Sequence, residues 1–328
     1  MSLGIPQLDA ALESSLTTNM ERVESLLRSH IEGEYPLVIE TSRHLVEAGG
    51  KRLRPLLTLL GAQFGDPSAY GIIEAAVVCE LTHLATLYHD DVMDEAPLRR
   101  GVESANNRWG NTVAILTGDY LFAKASHLLA DLGPEAVRLQ ASTFERLVIG
   151  QITETQGSTS GLSQLDHYLH VISGKTSSLI ATSIRFGALL AGATPAVTEN
   201  LTAYGELIGT VFQLADDVID IASETNESGK TPGTDLREGV PTLVTLYILE
   251  SEDPQDAELR KILSGPITDE AVVATTLAAL RNHEALSNAR RILVEYADRA
   301  RAQLVSLPNG AAKDALFNLC EAIITRTA

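Results

Sequence analysis

Six aspartates fall into two groups of one pattern: Asp90, Asp91 and Asp94 in HDDVMDEAPLRRG, and Asp216, Asp217 and Asp220 in FQLADDVID. Within each DDxxD the first and last carboxylates are four residues apart. On a helix that places them on one face, with Cβ atoms about 5–6 Å apart, where like charges cost a few tenths of a kcal/mol per pair. Both groups also end long apolar helical runs, where the helix dipole disfavours anions. Two clusters that break both rules imply a bound cation at each, whereas a solvated acidic helix end would explain one copy but not two. Carboxylates without imidazole or thiolate partners suit a hard ion, and Mg²⁺ takes one or two carboxylates together with water and substrate phosphates. Asp91 and Asp217 point about 100° round the helix, towards water or a cap.

Seven cations accompany them: Lys51, Arg52 and Arg54 in GGKRLRP, Arg99 and Arg100 after the first motif, Lys175 in SGKTSS and Lys230 in SGKTPG. Arginine forks grip phosphate oxygens in pairs and lysine acts as a point charge. Metal-holding carboxylates with such cations describe a diphosphate site, if the fold gathers them. Neither Gly-Lys-Thr triplet is a P-loop, because Leu169 and Glu224 stand where the first glycine is required. Glu80 and His83 form a single Glu-x-x-His pair, whereas a di-iron bundle needs two. His83 shares a helix face with Asp90 and is read either as a cavity residue or as a core histidine. His89 and Trp109 are read as structural.

The elements that must position these groups are helical. Apolar residues recur at helical spacing from Leu8, Leu12 and Leu16 onward. Runs cover about 68–93, 111–131, 134–156, 163–190 with a break near Gly174, and 195–221, where Thr194 caps and Pro195 opens the helix. The stretch 223–239 is polar and glycine-rich and reads as the longest loop. No sustained alternation marks a strand. The expectation is one all-α domain over residues 1–328, a large helical bundle with its site on facing helices around a central cavity. The formal charge, 25 − 43 = −18, argues against a nucleic-acid partner. Cys79 and Cys320 read as small core residues. No stretch approaches the roughly 20 apolar residues of a membrane span, and the first residues lack the pattern of a signal peptide. A reducing cytoplasmic location is expected.

The ordered motifs GGKRLRP (Gly49–Pro55), HDDVMDEAPLRRG (His89–Gly101), GDYLFAKA (Gly118–Ala125), GKTSSL (Gly174–Leu179), FQLADDVID (Phe212–Asp220) and GKTPGTDLREG (Gly229–Gly239) extend over about two-thirds of the chain. Together they resemble the isoprenyl diphosphate synthases, specifically the trans-prenyltransferases. The resemblance implies an all-helical homodimer that condenses an allylic diphosphate with isopentenyl diphosphate head to tail. It implies that Asp90, Asp94 and Asp216 are the principal ligands of three Mg²⁺ ions, supported by Asp91, Asp217 and Asp220. It further implies that Arg99, Lys175 and Lys230 contact the allylic diphosphate, and that Lys51, Arg54, His83 and Arg100 hold isopentenyl diphosphate. Thr176 and Gln213 would lie beside the reacting carbons. One departure is Val240, where the family often has lysine.

In such enzymes the growing chain runs along the helix upstream of the first motif. The fourth and fifth residues before Asp90 are Thr86 and Ala85, both small, with Thr82 and Cys79 continuing that side. At about 1.5 Å per residue they lie one to two turns below the metals, which favours a long product of roughly C30 to C50. Leu81, Phe144 or an opposing helix would supply a deeper floor. The alternatives are a geranylgeranyl diphosphate synthase, a terpene cyclase, which normally lacks the second DDxxD and GGKRLRP, and a non-catalytic subunit, which typically degrades one acidic motif.

Overall fold

A computed structural model describes residues 3–33, 35–158, 161–223 and 232–327. The chain resolves into two compact units. The first holds the described residues up to Glu145, with Leu179–Gly205 and Ser306–Leu316; the second holds those of Arg146–Ser178 and Glu206–Val305, and those from Phe317 on.

In the first unit, α1 (Ala10–His30), α2 (Pro36–Glu47), α3 (Leu53–Ala62), α4 (Ile72–Met93), α5 (Ala105–Trp109) and α6 (Asn111–Leu132) follow in chain order. They are joined by the start of α7 (Pro134–Gln156), most of α9 (Ser178–Leu190), and the beginnings of α10 (Pro195–Ala222) and α16 (Ala311–Thr325). Asp9 caps α1 by accepting from the amides of Ala11 and Leu12, and α1 buries Leu12, Leu16, Met20, Val23 and Leu27. The expected stripe is real. α4 is buried almost all round, as a helix apolar on every face must be. It starts at Ile72, four residues later than expected, because Asp66 accepts from the amide and hydroxyl of Ser68 and holds a turn there. Tyr88 ties α4 to α2, donating to the Thr41 carbonyl and accepting from the Leu45 amide at 3.3 Å. Cys79 lies in this core, where burial pushes its thiol up to about 11, and Cys320 is likewise buried and in no disulfide.

The second unit contains α8 (Gln164–Ile172), a π turn at Ser173–Ser177, the end of α10, and α11 (Thr234–Glu238), α12 (Leu243–Leu249), α13 (Ala257–Ile262), α14 (Glu270–Arg281) and α15 (Glu284–Leu304). The expected break near Gly174 is this π turn, the kind of bulge that accompanies functional sites. α10 buries Val211, Leu214, Ala215 and Val218 and so fixes the orientation of the second aspartate motif. Among the described residues no helix is long and apolar enough to cross a membrane.

Two sequence expectations need correction. The stretch 223–239 is not all loop, since α11 occupies its end. Asp220 makes that helix possible: its carboxylate accepts from the amides of Thr234 at 3.1 Å and Asp235 at 3.2 Å. Strands also occur. β1 (Leu98–Arg99) and β2 (Val102–Glu103) pair antiparallel, Leu98 opposite Glu103 and Arg99 opposite Val102. The turn residues Arg100 (φ 55°) and Gly101 (φ 78°) both have positive φ, as a two-residue type I′ hairpin requires. The RRG sequence is therefore a hairpin tip as well as a cationic motif.

Within the first unit α3 and α9 touch backbone to backbone. A Cβ on Gly187 would fall on the Thr58 carbonyl oxygen, and one on Gly61 would fall on that of Ile184. Gly187→Ala is expected to destabilise the protein by about 1–3 kcal/mol or more, the range for overpacking, read as a lower thermal midpoint.

Candidate active site

In the first unit the last turn of α4 carries the first motif. The Asp94 amide donates to the Asp90 carbonyl at 2.8 Å, so the two carboxylates stand one turn apart; Asp90 is half-buried and Asp94 exposed. Asp91 is different. It is fully buried, and its Oδ1 accepts from Arg99 Nε at 2.5 Å while Oδ2 has no hydrogen-bond partner. Burial raises its pKa, against the lowering effect of Arg99. Among the described residues Arg99 hydrogen-bonds only through Nε, which directs its terminal nitrogens to other acceptors.

The GGKRLRP motif runs from a loop, 49–52, into the first turn of α3, which holds Leu53, Arg54 and Pro55. Lys51 is exposed, whereas Arg52, in the left-handed region at φ 49°, is buried. Arg52 reaches Glu24 at 2.5 Å, Glu80 at 2.8 Å and the Val46 carbonyl at 3.1 Å. It holds the loop in place. Arg100 does similar work from the hairpin: Nη1 donates to the Leu45 carbonyl at 2.8 Å and to that of Gly49, and a Cβ on Gly50 would lie 2.9 Å from its Cζ. Glu80 thus serves arginines, 2.8 Å from Arg52 and 3.9 Å from Arg100, which accounts for the lone Glu-x-x-His pair. Arg54 has a buried Nε without a partner. His83 lies in the field of these groups. Burial first, then the charges of Arg54, Arg100, Arg52 and Arg99, hold its imidazole well below its ordinary pKa, so it is neutral.

His89 and Trp109 are structural, as read from the sequence. His89 Nε2 lies 3.1 Å from the Ile115 carbonyl, and Trp109 meets His44 edge-on with centroids 5.0 Å apart. Below the motif Ala85 is fully buried and Thr86 is 9% exposed. Leu81 is in the core, and Phe144 packs on Phe122 with centroids 4.5 Å apart.

In the second unit a chain of hydrogen bonds joins Thr176 and Gln213 to the second motif. Thr176 Oγ1 donates to Gln213 Oε1 at 3.3 Å, Gln213 Nε2 donates to Asp217 Oδ1 at 2.9 Å, and Tyr168 donates its hydroxyl to Asp217 Oδ2. Burial pushes the Asp217 carboxyl up to about 6, opposed by the hydrogen bonds from Tyr168 and Gln213. Asp216 is half-buried, 3.4 Å from Arg326, and Asp220 caps α11. Lys175 donates to Glu154 at 2.6 Å. Gly150 allows this, because a Cβ there would lie 2.6 Å from the Lys175 amide nitrogen. Tyr168 and Glu154 escape a motif reading. Their only sequence signals are a tyrosine seven residues before Lys175 and a glycine four before Glu154. Lys230 lies outside the described residues. Val240 is exposed just beyond α11, and its amide donates to the Asp235 carbonyl at 2.9 Å.

The donor set fits a hard divalent cation. Asp90 and Asp94 offer carboxylate oxygens from one helix turn and no softer ligand intrudes. Among the described residues no three His, Cys, Asp or Glu side chains converge as a finished metal cage. These carboxylates would supply part of a shell that water and phosphate oxygens complete.

The sequence model of the Polyprenyl synthetase family matches residues 35–280. A nonaprenyl diphosphate synthase of Mycobacterium tuberculosis is 47% identical, covering 98% of this chain and 97% of its own. A heptaprenyl diphosphate synthase component 2 of Geobacillus stearothermophilus is 36% identical over 94% of this chain and 96% of its own. Among solved structures, a geranylgeranyl pyrophosphate synthase of Corynebacterium glutamicum, complexed with calcium and isoprenyl diphosphate, superposes with a TM-score of 0.87. It is 44% identical and covers 97% of this chain and 98% of its own. A decaprenyl diphosphate synthase of Rhodobacter capsulatus gives a TM-score of 0.87 at 30% identity, over 97% and 99% of the two chains. With the family's sequence model extending over more than half of the chain, and relatives of this identity spanning nearly all of it, the chain belongs to the polyprenyl synthetase family.

Proposed function

We propose that the chain is a trans-prenyltransferase that condenses an allylic diphosphate with isopentenyl diphosphate and repeats the step to give a long-chain polyprenyl diphosphate. The observation that carries this reading is the end of α4, where Asp90 and Asp94 stand one turn apart and Asp91 anchors Arg99 beside them. Asp90, Asp94 and Asp216 would hold Mg²⁺, three ions in all, with Asp91, Asp217 and Asp220 supporting them through the groups they anchor. When bound, Mg²⁺ supplies Lewis-acid stabilisation of the leaving diphosphate. Arg99 and Lys175 would bind that same diphosphate; Lys51, Arg54, Arg100 and neutral His83 would bind isopentenyl diphosphate. Lys230 keeps its expected diphosphate role on sequence grounds alone.

Ionisation leaves an allylic cation. Gln213 is oriented for it, because its amide nitrogen is held by Asp217 and its carbonyl oxygen turns towards Thr176. Oriented oxygen dipoles stabilise such a cation without reorganising. The isopentenyl double bond then attacks, forming the new carbon–carbon bond, and the proton lost in the last step goes to the released pyrophosphate. The whole chain, read as one catalytic domain, would act in the cytoplasm.

A homodimer completes the reading. In the first unit Leu116 (60% exposed) and Ile115 (42%) on α6 and Val137 (42%) on α7 are apolar side chains turned to solvent. Burying them in a second copy would gain about 25 cal/mol per Å². Leu116→Asp is expected to shift the protein to monomer in analytical ultracentrifugation; an unchanged dimer would remove this contact.

Incubation with Mg²⁺, labelled isopentenyl diphosphate and a panel of allylic starters tests the activity, and absence of elongation with every starter refutes it. Asp90→Asn should lower turnover by several orders of magnitude while far-ultraviolet circular dichroism stays unchanged. Ala85→Phe should shorten the product, because the ring would fill the space beside Thr86. Chromatographic sizing against the wild-type product checks this.

A further inference from the structure

Arg146, Gly150 and Glu154 follow one another at four-residue spacing along α7 and share one face of it. On α10, Glu206 and Thr210 stand four apart, with Gln213 three residues further on. The π turn at Ser173–Ser177 is packed against both helices, all within the second unit. Glycine permits this packing. A Cβ on Gly150 would lie 2.6 Å from the Lys175 amide nitrogen, and one on Gly209 of α10 would lie 2.7 Å from the Ser177 Cα. Ser177 is fully buried, with its hydroxyl oxygen 3.1 Å from that of Thr210.

One turn earlier on each helix, Arg146 and Glu206 join α7 to α10 directly. Nη1 donates to Oε1 at 2.6 Å and Nη2 to Oε2 at 3.1 Å, the two-point geometry of a guanidinium on a carboxylate. Nη2 also donates at 3.4 Å to the Ser173 carbonyl, which accepts from the Ser178 amide and so closes the π turn. Stability does not account for the arrangement. The Arg146 side chain is 48% exposed and that of Glu206 30%, and ion pairs so accessible contribute little to folding. What the fork supplies is direction. Glycine contacts let two backbones approach but leave them free to slide, whereas two parallel hydrogen bonds fix spacing and orientation together.

We infer that Arg146 is a positioning residue, which through Glu206 sets the spacing of α7 and α10 around the π turn and with it the placement of Lys175 and Thr176. The roles of those two residues rest on the prenyl-transfer reading. Each is held by a different helix, so both depend on that spacing. Lys175 donates to Glu154 of α7 at 2.6 Å, and Thr176 donates to Gln213 of α10 at 3.3 Å. A shift of one helix against the other would move the ammonium and the hydroxyl apart. Arg146 acts on the reaction only through this turn.

The test uses the full chain as wild type, Arg146→Gln, Glu206→Gln, the two single reversals Arg146→Glu and Glu206→Arg, and both reversals together. Hydrogen–deuterium exchange with mass spectrometry reads the peptide over 173–178, and thermal midpoints are recorded in parallel. Steady-state kinetics use Mg²⁺, isopentenyl diphosphate and one allylic starter. In the two neutral variants the 173–178 peptide should exchange about tenfold faster while the rest of the chain keeps its wild-type rates. The midpoint should fall by no more than about 2–4 °C. The kcat should drop about 10–100-fold, whereas KM for isopentenyl diphosphate, assigned to groups of the first unit, should not change. The double reversal should recover most of the kcat that either reversal alone removes. Folded neutral variants that keep either the wild-type exchange of that peptide or the wild-type kcat overturn the inference. Exchange that quickens evenly across the chain with a large fall in midpoint also overturns it, since that marks a merely structural contact. If one neutral variant does not fold, the other decides by the same criteria. A wild type that forms no product refutes the prenyl-transfer reading instead, and exchange at the π turn still decides whether Arg146 holds it.

Discussion

The buried contact between Arg52 and Glu80 is the constraint on which the first half of the site depends. Two charges at 2.8 Å, both nearly inaccessible to water, are costly to desolvate, and such a pair endures only when the remaining hydrogen-bonding capacity is met. Here it is largely met. Arg52 also reaches Glu24 and the carbonyls of Gly49 and Val46, while Arg100 approaches Glu80 from the hairpin side. One carboxylate on α4 therefore fixes two segments distant in sequence, the loop that bears Lys51 and leads into Arg54 at the start of α3, and the hairpin bearing Arg99. Removing Arg52 would leave buried Glu80 with Arg100, 3.9 Å away, as its remaining ion-pair partner among the described residues, a loss approaching the roughly 3–5 kcal/mol of a broken buried pair. The loop would lose its position along with its stability.

The two DDxxD motifs share a division of labour that follows from helix geometry. Positions one and five lie on one face, and the second position points about 100° away. In both motifs that second aspartate is buried and engaged by protein: Asp91 by Arg99, Asp217 by Gln213 and Tyr168. Each middle carboxylate orients a side chain, Arg99 or Gln213, that the proposed function assigns to the substrate. The outer carboxylates stay partly or wholly accessible, although that of Asp220 is also engaged in capping α11. An aspartate that anchors a neighbour and one that offers itself to a cation look identical in a motif but differ in burial.

Much of the helical framework was legible because apolar periodicity and caps are local signals. The bounds of α7 and the interruption around Gly174 follow from the sequence almost residue for residue. The hairpin at Arg100-Gly101 was not, because arginine at positive φ is uncommon and no alternating pattern flanks it. Roles within the basic clusters were only half legible. Arg52 and Arg54 stand two apart in one motif, yet Arg52 is enclosed by carboxylates and Arg54 is not. That distinction is set by Glu24 and Glu80, 28 residues away on either side. Tyr168 and Arg146 carry no motif at all. Their meaning comes from partners 49 and 60 residues distant, which no local window can contain.

In the proposed reaction, charge makes a bound cation part of the chemistry and not an accessory to it. The chain carries a formal −18, and two cations of its basic clusters are already paired, Arg99 with Asp91 at 2.5 Å and Lys175 with Glu154 at 2.6 Å. Pairing fixes where these groups point but cancels much of their long-range pull. Asp90 and Asp94 in the first unit, and Asp216 in the second, each add negative charge to their surroundings. A diphosphate approaching such residues is repelled by the protein alone and attracted only once divalent ions sit on the carboxylates. The same aspartates that weaken the apo helix ends thus become favourable when the ion and the diphosphate arrive together. On the proposed function, binding of substrate and of metal would be one coupled event, in which each ligand raises the affinity for the other.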